Sequence, residues 1–211
     1  IQGMLCKGTD GTSLPSLSLP DRYLPFSSIG KSFAENNICE MGYAVSKIYA
    51  RSIIEEFSIR FDENIHCLED LLFMYQYLLH CDYLVLNHMQ NYVYVKHPFS
   101  LSHRIHSFES EYCCFVKYQQ LLAEMMKVWK IPAGDMVVTV NSMLVPFRRA
   151  LKSDYQPDRT IPREMRVKHL KRMISESRDV FLKYYHPVFK TDKLGKVLLG
   201  FNCYILYDFY I

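Results

Sequence analysis

Two apolar patterns divide the chain, and the change falls near residue 103. In the first part, apolar residues come in short runs broken by Gly, Pro, Ser and Asp. "IQGMLCKGTDGTSL" carries Asp10-Gly11, a dipeptide that readily takes the positive φ of a tight turn, so residues 1–14 are expected to form a hairpin. The Ser- and Pro-rich "SLPSLSLPDRYLPFSS" is expected to be a loop. "GYAVSKIYARSIIEEF", residues 42–57, reads as strand or turn leading into a short helix. In "EDLLFMYQYLL", residues 69–79, Leu72, Tyr75 and Leu79 fall at helical spacing. Glu69 and Asp70 open that helix, where its dipole favours negative charge. "DYLVLNH" and "QNYVYVKH" alternate and are expected as two strands.

After Pro98 the period changes. Phe108, Tyr112, Phe115, Leu122, Met126 and Trp129 recur at three- and four-residue steps, which predicts a long amphipathic helix over 108–130. "PAGDMVVTVNSMLVPFRRALKSD" predicts a second helix, kinked at Pro146. "IPREMRVKHLKRMISESRD" predicts a third, with Pro162 in its first turn. "KLGKVLLGFNCYILYDFYI" is the most apolar stretch and predicts a fourth. The expected fold class is α/β, a mixed sheet with helices over residues 1–103, followed by an α-helical region over 104–211.

Composition narrows the picture. With 211 residues, 49% of them hydrophobic, the chain has material for a real core in one or two domains. A net charge of +3 is too small to argue for nucleic acid. The seven cysteines occur singly or as neighbours, without a CxxC, and the eight histidines include no HExxH. No metal site is expected from them, and the cysteines read as reduced, mostly buried thiols of a reducing compartment. The chain opens on Ile1 rather than Met, with no signal-peptide pattern behind it, which is read as an artificial boundary of the stretch or as sequence missing upstream.

Candidate chemistry centres on "RFDENIHCLEDLLF", where Glu69 and Asp70 sit at the edge of an apolar run. Two readings stand side by side. Acids in a first helical turn are good capping chemistry, worth about 0.5–1 kcal/mol each. Alternatively, one carboxylate is a general base. A helix N-terminus lowers a carboxylate's pKa, so such a base needs partial desolvation to be effective.

The order of residues around this pair resembles the second half of the family 2 glycosyltransferases of the GT-A fold, above all bacterial capsule and exopolysaccharide enzymes. The family's W-x-K-LY-like segment is matched by Lys47, Ile48, Tyr49 and Arg51. Its hydrophobic-F-x-E turn is matched by Phe61 and Glu63, and its G-E-D helix start by Glu69, Asp70 and Phe73. Its Y-x-Y strand and S-x-S are matched by Tyr92, Tyr94, Ser100 and Ser102. The family's Trp is absent, with Val45 and Ser46 in its place, and the triplet's Gly is Leu68. The nucleotide-binding strands and the D-x-D motif of the family's first half are also absent.

The resemblance therefore implies the acceptor-side and C-terminal portion of an inverting enzyme. That enzyme moves a sugar from a nucleotide-sugar donor to a glycan or lipid-linked acceptor in surface polysaccharide synthesis. Asp70 is implied as the base and Glu69 as its companion. Lys47, His103 and Arg104 are candidate substrate-binding residues. A divalent cation, Mn or Mg, is implied for the complete enzyme and none for this chain alone, which is expected to be inactive. The implied place is the cytoplasmic face of a membrane. The alternative is a non-catalytic α-helical interaction module with a small α/β cap.

Arg163, Arg166, Lys168, Lys171 and Arg172 form a basic set in the third tail helix, without the aromatic platform or groove-reading motif of a nucleic-acid binder. Residues 197–211 are too short to span a bilayer, which takes about 20 apolar residues. They read as a helix docked on the core or as an interfacial helix flanked by Lys190, Lys193 and Lys196, giving peripheral membrane contact.

Overall fold

The computed structural model describes residues 1–35, 38, 41–97, 100, 104–131, 136–185, 187 and 190–211; at 33, 34, 136–143, 180 and 184 it describes the backbone alone. Strands β1 (Gln2–Gly8) and β2 (Ser13–Leu17) form the expected hairpin, pairing Met4 with Leu17 and Lys7 with Ser13. Gly11 turns it at φ 82°, a conformation glycine reaches without Cβ strain. The Ser- and Pro-rich stretch is not a loop: it supplies β2, β3 (Arg22–Pro25) and the start of α1 (Phe26–Glu35). Its polar composition reflects exposure rather than irregularity, and Pro15 is tolerated because β2 is an edge strand.

The two strands expected between 82 and 97 are one strand, β4 (Tyr83–Lys96). Its first half pairs antiparallel with β3 and its second half parallel with β1, giving the order β2-β1-β4-β3. The polar stretch that suggested a break marks the change of partner. There the register shifts, and the His88 backbone N–H donates to the Asp21 carboxylate at 2.9 Å.

Helices α2 (Arg51–Glu56), α3 (Glu69–Leu78) and α4 (Phe108–Trp129) lie where their patterns place them. Helix α5 (Met136–Lys152) holds Pro146 and is followed by a 3-10 turn, Ser153–Tyr155. Helix α6 (Arg163–Glu176) begins one residue after Pro162, whose backbone is extended at the cap. It stops at Ser177, and α7 (Arg178–Tyr184) follows as a separate element. The apolar C-terminal run is also two helices, α8 (Lys190–Gly200) and α9 (Tyr204–Tyr210), parted where Asn202 takes φ 59°. Asn is among the few residues that enter the left-handed region cheaply.

A mixed four-stranded sheet followed by helices thus describes the chain. One buried apolar cluster runs from Leu19 to Tyr207 and takes side chains from both parts. At Gly30 of α1 an added Cβ would stand 2.5 Å from the Trp129 Cβ, so the absence of a side chain lets α1 approach the end of α4. Between α3 and α4 the buried hydroxyls of Tyr75 and Tyr118 meet at 2.9 Å. Two acids are taken inside with cations. Glu111 is held by the Arg149 fork at 2.8 Å to each oxygen. Asp208 is held by Arg166 at 2.6 and 2.8 Å and by the Tyr155 hydroxyl at 3.0 Å. Cys6, Cys67, Cys81, Cys113, Cys114 and Cys203 are free thiols, four of them buried. No helix among the described residues is long and apolar enough to cross a membrane.

Candidate functional site

The sequence pair Glu69 and Asp70 opens α3, and the residue before it sets the geometry. Leu68 occupies the cap with φ 65° and ψ 14°, the left-handed region. This is the position where the G-E-D triplet has glycine, and the backbone adopts there a conformation suited to glycine although the side chain is leucine. A branched residue held so costs on the order of 1–3 kcal/mol and persists only where its surroundings impose it. Leu68 gives the helix no side-chain cap. The Asp70 carboxylate instead accepts the N–H of Leu71 at 2.8 Å and also that of Ala44.

The Ala44 contact brings the 42–50 loop against the first turn of α3. Gly42 permits this approach, since a Cβ there would lie 2.8 Å from the Cβ of Leu71. The loop is tied to β1, where the Gln2 N–H donates to the Ser46 carbonyl at 3.0 Å. Ser46 itself takes φ 61°. Lys47 folds its ammonium back onto the carbonyls of Tyr43 and Val45, so it anchors the loop instead of forming a surface ion pair. Tyr49 packs edge-on to Phe73 and Tyr77, and its buried hydroxyl has no hydrogen-bond partner among the described residues. Phe61 stacks on the other side of Phe73, with centroids at 4.5 Å. Matched positions of three separate sequence segments, Lys47 and Tyr49, Phe61, and Asp70 and Phe73, therefore meet around one helix start.

The electrostatics follow from this packing. Loss of water, then the adjacent Glu69, push the Asp70 carboxyl above its usual range; the two backbone N–H groups and Lys47 offset only part of that. Burial lowers the Lys47 ammonium to about 8 although Asp70 acts in the opposite direction. Burial and Asp70 raise the Tyr49 phenol. Asp70 is thus a carboxylate that holds a proton more readily than an exposed one, with a cation and an unpartnered hydroxyl close by.

A second layer joins α3 to the start of α4. The His66 N–H donates to the Ser110 hydroxyl at 3.2 Å, and Lys117 pairs with Asp62. The 105–107 segment is gripped from outside: the His106 N–H donates to Glu111 at 2.7 Å, and Arg159 donates to the carbonyls of Ile105 and His106. Burial, above all, raises the Cys67 thiol. Arg104 begins this segment with an exposed side chain, and its carbonyl accepts Arg149 at 2.5 Å. His103 lies outside the described residues, as do Leu101 and Ser102.

Sequence reasoning missed the left-handed Leu68, the hydroxyl of Tyr49 and the Glu111–Arg149 pair. Only the last had a readable signal: Glu111 falls on the apolar stripe of α4, where an acid needs a buried cation. The basic set of α6 is not one free patch. Arg163 and Arg166 pair with Asp208, and Arg172 pairs with Glu109 and Glu176. The sequence has no D-x-D, and no group of three or more His, Cys, Asp or Glu among the described residues is placed to hold a divalent cation. A cavity of about 280 Å³ lies elsewhere, between α5, α8 and α9, beside Arg148, Tyr185 and Tyr207. Its lining includes none of Lys47, Tyr49, Glu69 and Asp70. No family model, characterised protein or solved structure matches this chain.

Proposed function

We propose that the chain supplies the acceptor side of an inverting glycosyltransferase of the family 2, GT-A type, acting in surface polysaccharide synthesis. The observation that carries this reading is the half-buried Asp70, placed by a left-handed residue at the start of α3 and faced by the Lys47–Tyr49 loop. In the reaction, an acceptor hydroxyl attacks the anomeric carbon of the nucleotide sugar. The new C–O bond forms as the bond to the diphosphate breaks, the configuration inverts, and the hydroxyl proton passes to Asp70. Desolvation suits Asp70 to this, because a base with a raised pKa has more driving force to accept the proton. Glu69 raises Asp70 further and contacts acceptor hydroxyls. Arg104 is the cation offered to the donor side. The nucleotide-binding half lies outside these 211 residues.

Turnover of the complete enzyme tests the assignment. Asp70→Asn should lower it roughly 10²–10⁴-fold, the range for loss of a general base, while Glu69→Gln lowers it less. Near-normal transfer by Asp70→Asn would remove Asp70 from the chemistry, and a larger loss in Glu69→Gln would exchange the two roles.

One observation favours a second reading, a non-catalytic interaction module. The Asp70 carboxylate already accepts two backbone N–H groups, one of them across from the 42–50 loop, and so also serves as a clamp. Under that reading Asp70→Asn alters stability alone.

A further inference from the structure

Helices α8 and α9 are apolar on both sides. Leu199 and Tyr207 face inward and are buried. On the outer side, Leu194, Val197 and Phe201 recur at three- and four-residue steps along α8 and into the turn after it. Ile205, Leu206 and Phe209 continue the exposed apolar surface on α9. Phe201 is 78% exposed and Phe209 73%, so the segment that docks on the core through Leu199 and Tyr207 leaves a second apolar face outside. The turn at Asn202 separates the two short helices, and neither is long enough to enter a bilayer as a span.

The charges on these helices are sorted. Their two acids point inward and are neutralised, Asp192 by Arg148 at 2.9 Å and Asp208 by Arg166 at 2.6 Å. Lys190 and Lys193 are exposed and flank the apolar row of α8. The outer surface is therefore apolar with a cationic margin and no acid of its own.

We infer that the outer face of α8 and α9 docks on an anionic phospholipid bilayer, with Leu194, Val197, Phe201, Ile205 and Phe209 entering the interfacial region and Lys190 and Lys193 meeting lipid phosphates. Burial of the apolar row supplies one part of the affinity and attraction of the lysines to anionic headgroups the other. A second copy of the chain fits the same face less well. Self-pairing would bring lysine margins together, and the acids that would neutralise them are already engaged inside. This inference stands on the exposed face alone and is independent of the assignment of Asp70.

Flotation of the chain with phosphatidylcholine vesicles, with and without phosphatidylglycerol, tests it. Binding is expected to the anionic vesicles at low salt and to weaken as salt rises. Phe201→Gln with Ile205→Gln, and separately Lys190→Glu with Lys193→Glu, should each lower binding at least about tenfold with an unchanged circular dichroism spectrum and melting temperature. All four positions are exposed, so folding does not depend on them. Failure to float with anionic vesicles at low salt would overturn the inference. So would flotation unchanged in Phe201→Gln/Ile205→Gln. A dimer in sedimentation equilibrium that this same variant dissolves would assign the face to a second copy instead.

Discussion

Asp70 pays for its position in stability, and the sign of that effect can be measured. Its folded carboxyl binds a proton at higher pH than the ordinary value of 3.8. The folded state therefore holds more protons than the unfolded one in the window above 3.8, and stability falls as pH rises through it. Asp70→Asn removes that slope. Thermal melting should show the variant equal to or more stable than the parent at neutral pH, with the gap closing as pH falls toward about 4. A variant that melts lower at neutral pH would mean that the carboxylate chiefly clamps the loop. Leu68 is the complementary case at this scale. A leucine gives no warning of a left-handed backbone, so its conformation was invisible in composition and periodicity.

Among the elements, those with a long apolar period were legible, because burying one face of a helix fixes both its extent and its orientation. The pattern placed α3 and α4 to within a residue or so. What was not legible depended on partners distant in sequence. The strands β2 and β3 look like loop because their side chains are mostly exposed. The unity of β4 depends on two different neighbours. Of the candidate site, the acids and Lys47 were visible as residue types. Their convergence required the 42–50 loop to lie on α3, which no spacing rule encodes. Gly42 is the element-level test of that contact. Gly42→Ala puts a Cβ 2.8 Å from Leu71 and should cost about 1–3 kcal/mol by overpacking, read from chemical denaturation. Because the loop carries Lys47 and Tyr49, the same change should also disturb the environment of Tyr49, seen as a shifted tyrosine signal in NMR. An unchanged stability would show that the loop stands clear of α3.

For the molecule as a whole, the mixed sheet and the helices share a single buried core, so the site at the start of α3 and the apolar face of α8 and α9 belong to one folded unit. The described residues form a four-stranded sheet, and the sequence has no D-x-D, the motif that the proposed family uses at the diphosphate. Calorimetry with UDP-sugars and Mn²⁺ should accordingly show no binding in the micromolar range, and the chain alone should transfer no sugar. Micromolar affinity would place a donor site within these residues.

The central claim is that a desolvated Asp70 takes the acceptor's proton. The pH dependence of turnover in the complete enzyme tests it most directly. An acidic limb centred above the ordinary carboxylate value of 3.8 is expected, and it should disappear in the slow residual reaction of Asp70→Asn. A limb at the ordinary value, or one that persists unchanged in Asp70→Asn, would contradict it.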